Sequence, residues 1–119
     1  MEEIVLKFSE IWQDSIIGYC LKEYSFFLNC RTYINHRWFQ HPDTQAVAKV
    51  LYELYDRLEV KRLIKPEELK QQFVRIHPDA RSQQKYFAHI EKCLAATNQV
   101  GLDLMCLDLT TWIRIIKLK

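Results

Sequence analysis

"DTQAVAKVLYELYDRL", residues 43–58, decides the fold. Val47, Val50, Leu51, Leu54, Tyr55 and Leu58 recur at i, i+3, i+4, i+7, i+8 and i+11, which is one continuous apolar stripe on a helix. A strand cannot collect them, because its successive side chains face opposite ways. Asp43 or Thr44 offers an oxygen to cap the first turn. The stretch predicts a long helix buried along one side.

Upstream, "SFFLNCRTYI" (residues 25–34) reads as a shorter helix, with Phe26, Phe27, Cys30 and Ile34 on its greasy side. From Ile4 to about Tyr24, the residues Val5, Phe8, Ile11, Trp12, Ile16, Tyr19 and Leu21 keep mostly helical spacing. Asp14-Ser15 could break this run and cap a second start, so two pieces are an alternative to one helix. Gly18 within a helix costs about 1 kcal/mol against alanine, and close approach of another helix would explain it.

Downstream, "EVKRLI" (59–64) is a connector. "KPEELKQQF" (65–73) starts a helix with Pro66 near its first position, Glu67 and Glu68 in the first turn, and Leu69 and Phe73 facing inward. Pro78 discourages helix at His77, so a turn follows. Asp79 or Ser82 begins the next helix, whose inner residues are Tyr86, Phe87, Ile90, Cys93 and Leu94. "ATNQVG" is a loop. "LDLMCLDLTTWIRIIKLK" (102–119) runs on as a helix, with Leu104, Leu107, Trp112, Ile115 and Ile116 expected inside and Arg114, Lys117 and Lys119 at the negative end of its dipole. The competing reading pairs "MEEIVLKF" with "WIRIIKL" as strands, since both are rich in β-branched residues. The expectation is one all-α domain over residues 1–119, a compact orthogonal bundle of about six helices.

Composition agrees. Hydrophobic residues at 49% and charged residues at 27% suit a soluble globular chain, and 2 glycines with 3 prolines are too few for a hairpin-rich sheet. A net charge of +2 is too small to announce a dedicated nucleic-acid binder. No apolar run approaches the roughly 18 residues that span a bilayer, and the acidic start lacks a signal-peptide pattern, so a cytoplasmic protein away from membranes is expected. Cys20, Cys30, Cys93 and Cys106 form no C-x-x-C pair and read as buried reduced thiols.

Nucleotide-binding and zinc motifs are missing. There is no G-x-x-x-x-G-K-[ST], no G-x-G-x-x-G and no H-E-x-x-H, so no catalysis, cofactor or metal is expected of this chain. The most chemically loaded stretch is "NHRWFQHP", residues 35–42. His36 and His41 would stand about 140° apart on a helix and do not converge on an ion. Asp103 and Asp108 suit a helix start and a solvated face. Arg37 and Trp38, with Phe39 and His41, either stack on a base and touch phosphate or cover the core where the chain turns. Arg57, Lys61 and Arg62, with Lys65, form a second basic cluster open to the same two readings.

The order of pieces in "DSIIGYCLKEYSFFLNCRTYINHRWFQHPDTQAVAKVLYELYDRLEVKRLIKPEELKQQF" (14–73) resembles the N-terminal domain of DnaB-family replicative helicases, especially the phage type. The family's hydrophobic-hydrophobic-glycine step is matched by Ile16, Ile17 and Gly18, its phenylalanine connector by Phe39 and His41-Pro42, its long helix by 43–58, and its isoleucine-led next helix by Ile64 to Phe73. "TTWIRIIKLK" is similar to the basic stretch that enters the family's linker, so residues 103–119 would begin a linker helix. The family's ATPase domain is absent, so the chain is either a piece of a longer helicase or a free-standing relative, and a sequence that ends inside an apparent helix favours the piece. The resemblance implies a non-catalytic collar domain of DNA replication. Copies would pair through a helical hairpin into a dimer or hexameric ring, receive primase or a helicase loader, and meet DNA only indirectly. Trp12, Tyr19, Tyr52, Trp112, Ile113 and Ile116 are the interface candidates, Phe39 the core plug, and Pro42 with Asp43 the start of the long helix. The alternative from another class is a small helical nucleic-acid-binding or transcription-regulating protein.

Overall fold

In the computed structural model, which describes residues 8–118, the chain forms α1 (Glu10–Cys20), α2 (Tyr24–Tyr33), α3 (Pro42–Arg57), α4 (Pro66–Ile76), α5 (Ala80–Ala96) and α6 (Leu102–Lys117). One 3-10 turn, His36–Trp38, lies between α2 and α3. No strand occurs among the described residues, so "WIRIIKL" is helical, while most of "MEEIVLKF" lies outside them. The all-α bundle expected from the periodicity is therefore what these residues build. Its radius of gyration of 14.0 Å is close to the roughly 13.5 Å of a compact chain this long. No helix among the described residues is long and apolar enough to cross a membrane.

The ends of the helices follow local chemistry. Ser9 caps α1 by accepting the Trp12 N–H at 3.4 Å. α1 then runs unbroken through Asp14 and Ser15, which are buried inside it and start no second helix. At α3 the cap is neither Asp43 nor Thr44. His41 Nδ1 accepts the Asp43 N–H at 3.0 Å, and Pro42 supplies a first turn that needs no amide partner. Glu68 accepts the Lys65 N–H at 3.0 Å across the start of α4, and Asp79 accepts the Ser82 N–H at 2.9 Å at α5.

Val47, Val50, Leu51 and Tyr55 of α3 are buried and Leu54 and Leu58 half-buried, so the stripe that predicted the helix is its inner face. It meets Phe26, Phe27, Cys30 and Ile34 from the α2 segment and Leu69 and Phe73 from α4. α1 and α5 form the closest pair and run in the same direction. Asp14 meets His89, Gly18 meets Cys93, and Lys22 reaches Thr97. A Cβ built on Gly18 would overlap the Cys93 carbonyl oxygen and lie 2.5 Å from Thr97 Cγ2, so the glycine is there to let two backbones touch.

α6 docks through large side chains. Trp112 meets Trp12 (ring centroids 5.5 Å apart), Phe39 (5.7 Å) and Trp38 (6.5 Å). Its buried line is Met105, Leu109 and Trp112, with Leu102, Ile113 and Ile116 half-buried beside it. Leu104 and Leu107, expected inside, are 59% and 72% exposed. The helix has two apolar faces, and the bulk of Trp112 decides which one turns inward. Cys20, Cys30 and Cys93 are buried free thiols as expected, but Cys106 is exposed on the outer side of α6.

Candidate functional site

The connector "NHRWFQHP" divides into two parts. Phe39 is fully buried against Trp112, as the plug reading predicts, and Trp38 lies half-buried on the same cluster. Gln13 holds the connector to α1: its Oε1 accepts the Gln40 N–H at 2.9 Å, and its Nε2 donates to Phe8 O at 2.9 Å. Arg37 remains outside, and its guanidinium has no hydrogen-bond or ion-pair partner among the described residues. It borders an open cleft of about 510 Å³ with Tyr33, Asn35, His36 and Trp38. Burial, and then the charges of Arg37 and Lys49, hold the His36 imidazole below its ordinary value.

The second basic cluster is spent within the fold. Arg57 donates to Gln72 Oε1 at 2.8 Å, and Lys61 Nζ donates to the Tyr55 and Asp56 carbonyls at the end of α3. Arg62 makes two bonds to Glu68, of 2.8 and 2.6 Å. These charges tie the α3–α4 connector down and are not a loose basic stripe. Arg37 and Trp38 border the cleft beside α2, and Arg62 borders a second open cleft of about 480 Å³ with Leu63, Lys65 and Glu68, where its guanidinium is already paired.

Three of the interface candidates have no area left for a partner. Trp12, Tyr52 and Trp112 are buried by their own chain, since the largest apolar rings are the first surface a core covers. Tyr52 donates to the Cys30 carbonyl at 3.3 Å, and burial pushes its phenol well up. Tyr19 is half-buried and donates to Thr97 O at 3.1 Å and to Val100 O, tying α1 to the loop after α5. Ile113 and Ile116 lie half-buried along the edge of α6. The apolar side chains that do reach solvent are Leu104 and Leu107 on α6 and Leu118 just past its end, the last 83% exposed. With Thr111 and Arg114 they mark the seam positions 104, 107, 111, 114 and 118, Leu118 lying just past the end of the helix.

A buried polar cluster lies where α1, α3 and α5 meet. Asp14 is 1% exposed, and Thr44 and His89 are also buried. The Thr44 hydroxyl donates to Asp14 Oδ1 at 2.7 Å, and its oxygen lies 2.8 Å from His89 Nε2. A hydroxyl has one proton, and the carboxylate takes it, so Nε2 carries its own hydrogen and donates to Thr44. Asp14 Oδ2 has no hydrogen-bond partner, and the nearest cation, Lys92 Nζ, is 3.9 Å away. Burial pushes the Asp14 carboxyl up, but hydrogen bonds from His89 and Thr44 and the charges of His89 and Lys92 outweigh it and leave it below the ordinary value. Cys93 adds a thiol on the same side, pushed well up by burial and then by the Asp14 charge.

Asp14, Thr44 and His89 are absent from the site that the sequence suggests. One signal was available, since "HIEKC" (89–93) puts a histidine and a cysteine one helical turn apart.

Comparison with known proteins gives no relative: no family model, no curated protein and no solved structure matches this chain.

Proposed function

We propose that this chain is a non-catalytic docking module that associates with a second copy of itself through the outer face of α6, and that it serves as the collar domain of a DnaB-type replicative helicase. The observation that carries the self-association is the solvent-facing pair Leu104 and Leu107, continued by Thr111, on a helix whose other face is already spent on the core. Scattered exposed leucines need no explanation, but a row of them along one seam does.

A second copy is favoured by charge. Asp103 lies in the first turn of α6, and Arg114 and Lys117 in the last turns. An antiparallel pair of α6 helices brings each acidic first turn against the other's basic last turns and opposes the two helix dipoles. That is what a two-fold contact between identical surfaces requires. The helicase collar reading adds the family resemblance of residues 14–73 to this face.

Sedimentation across a concentration series tests it. The expected result is a reversible dimer or larger ring that survives high salt, because apolar contact holds it. A monomer at every concentration would remove the reading. The second reading, a nucleic-acid binder, draws on Arg37 beside Tyr33 and Trp38. It predicts oligonucleotide binding that weakens steeply with salt and is lost in Arg37→Ala.

A further inference from the structure

We propose that Asp14, His89 and Cys93 form a transition-metal site of the zinc type between α1 and α5. One ligand atom from each of these three buried residues lies within 4.8 Å of the others. A tetrahedral zinc ion with sulfur, nitrogen and oxygen ligands sets them about 3.5 Å apart, so shifts of about 1 Å close the site. His89 and Cys93 stand one turn apart on α5, the arrangement by which a helix presents two ligands to one ion. The third ligand comes from α1, and Gly18 is what admits it. Without a side chain there, α1 lies directly on the α5 backbone and Asp14, one turn earlier, reaches His89.

A separate observation points to a ligand. Asp14 is 1% exposed, yet its Oδ2 has no hydrogen bond and is met by the Lys92 ammonium only at 3.9 Å. A buried carboxylate oxygen matched only by a distant ammonium is costly, and a cation bound directly relieves it. The donor set also selects the ion. Thiolate and imidazole favour zinc or cobalt, whereas magnesium and calcium ask for oxygen alone. Thr44 becomes the supporting group, its hydroxyl still bonded to Asp14 Oδ1 and fixing the carboxylate's orientation.

Binding displaces protons in a defined way. The Cys93 thiol loses its proton to solvent as the sulfur–metal bond forms. The Nε2 hydrogen leaves so that its lone pair can bind: from the charged ring it goes to solvent, and in the neutral ring it relocates to Nδ1. A water completes the four positions. Affinity therefore falls as pH falls. Lys92 opposes the ion, since its ammonium sits 3.9 Å from Oδ2, but its side chain is 51% exposed and free to swing out.

The test is titration of the full, reduced chain with cobalt(II) and zinc(II). Cobalt should give a thiolate-to-metal charge-transfer band and the visible bands of tetrahedral coordination, both displaced by equimolar zinc. Cys93→Ser should abolish the charge-transfer band, and Cys106→Ser, on the exposed thiol, should leave it. Asp14→Asn should weaken zinc about 10- to 100-fold, and Lys92→Met should tighten it. No thiolate band, or a band that follows Cys106, overturns the proposal. If Cys93→Ser does not fold, as judged by circular dichroism, Asp14→Asn and Lys92→Met decide, and unchanged zinc affinity in both overturns the proposal equally.

Discussion

Gly18 of α1 lies against the Cys93 carbonyl of α5, so closely that an added methyl group would sit within van der Waals overlap of its oxygen. That one contact sets the register of the closest helix pair in the fold. It places Asp14 one turn before it against His89, and Lys22 one turn after it against Thr97, where the lysine donates to Oγ1 at 2.6 Å. The glycine's cost in the helix is offset by the approach it permits.

Gly18→Ala is accordingly expected to destabilise the chain although alanine is the better helix former. Overpacking costs about 1–3 kcal/mol or more where backbone is the obstacle, against a gain of about 1 kcal/mol in propensity. Urea denaturation measures the balance. A variant as stable as the parent would mean that α1 and α5 do not touch here.

Thr44→Val should cost about 1–3 kcal/mol, the usual loss when a buried polar group is left without its partner. Valine fills the same space but removes the hydroxyl that bridges them, leaving Asp14 Oδ1 and His89 Nε2 only each other, 3.5 Å apart. Thr44→Ser keeps the hydroxyl and should recover most of the loss. Thermal unfolding of the two variants side by side checks this, and equal melting points for serine and valine would rule out the hydroxyl's role.

Legibility in the sequence followed the range of the interactions. The α3 stripe could be read directly, because six apolar residues on one face leave a helix a single way to be buried. Gly18 could be read because a glycine inside a helix needs a reason. α6 was misread because Leu104 and Leu107 keep helical spacing as well as Met105 and Leu109 do, and periodicity alone cannot choose between two apolar faces. The His41 cap was missed because Asp43 and Thr44 are the commoner capping residues, and Thr44 is needed elsewhere. The polar cluster was out of reach for a deeper reason. Asp14, Thr44 and His89 are 30 and 45 residues apart along the chain, and only the packing of three helices brings them together.

Arg62 and Glu68 give the fold a pH dependence of known sign. Two hydrogen bonds from Arg62, then the Lys65 N–H, pull the Glu68 carboxyl from 4.5 to about 2. A depressed carboxyl stabilises the fold fully above its unfolded value, and the contribution is lost as pH falls from about 4.5 towards 2. The pair is partly exposed, so its share is below about 1 kcal/mol. Glu68→Gln should flatten that part of the acid limb and leave stability at neutral pH only slightly reduced. Denaturant midpoints measured across that pH window decide it, and an unchanged slope would remove the pair from the acid response.

The two faces of α6 should separate stability from association. Trp112→Ala empties the space between Trp12, Trp38 and Phe39, and loss of a buried tryptophan costs about 3–5 kcal/mol. The helix would then detach and carry its outer stripe with it, so both folding and self-association should suffer. Leu107→Lys changes a side chain that is 72% exposed and should move stability by no more than about 0.5 kcal/mol. In an antiparallel pair the lysine enters the seam, so the same substitution should shift the sedimentation profile to monomer. Full helicity with lost association in Leu107→Lys, beside lost helicity in Trp112→Ala, is the expected pair of results. A Leu107→Lys protein that still self-associates would place the contact on another surface, and the collar reading would lose the face that supports it.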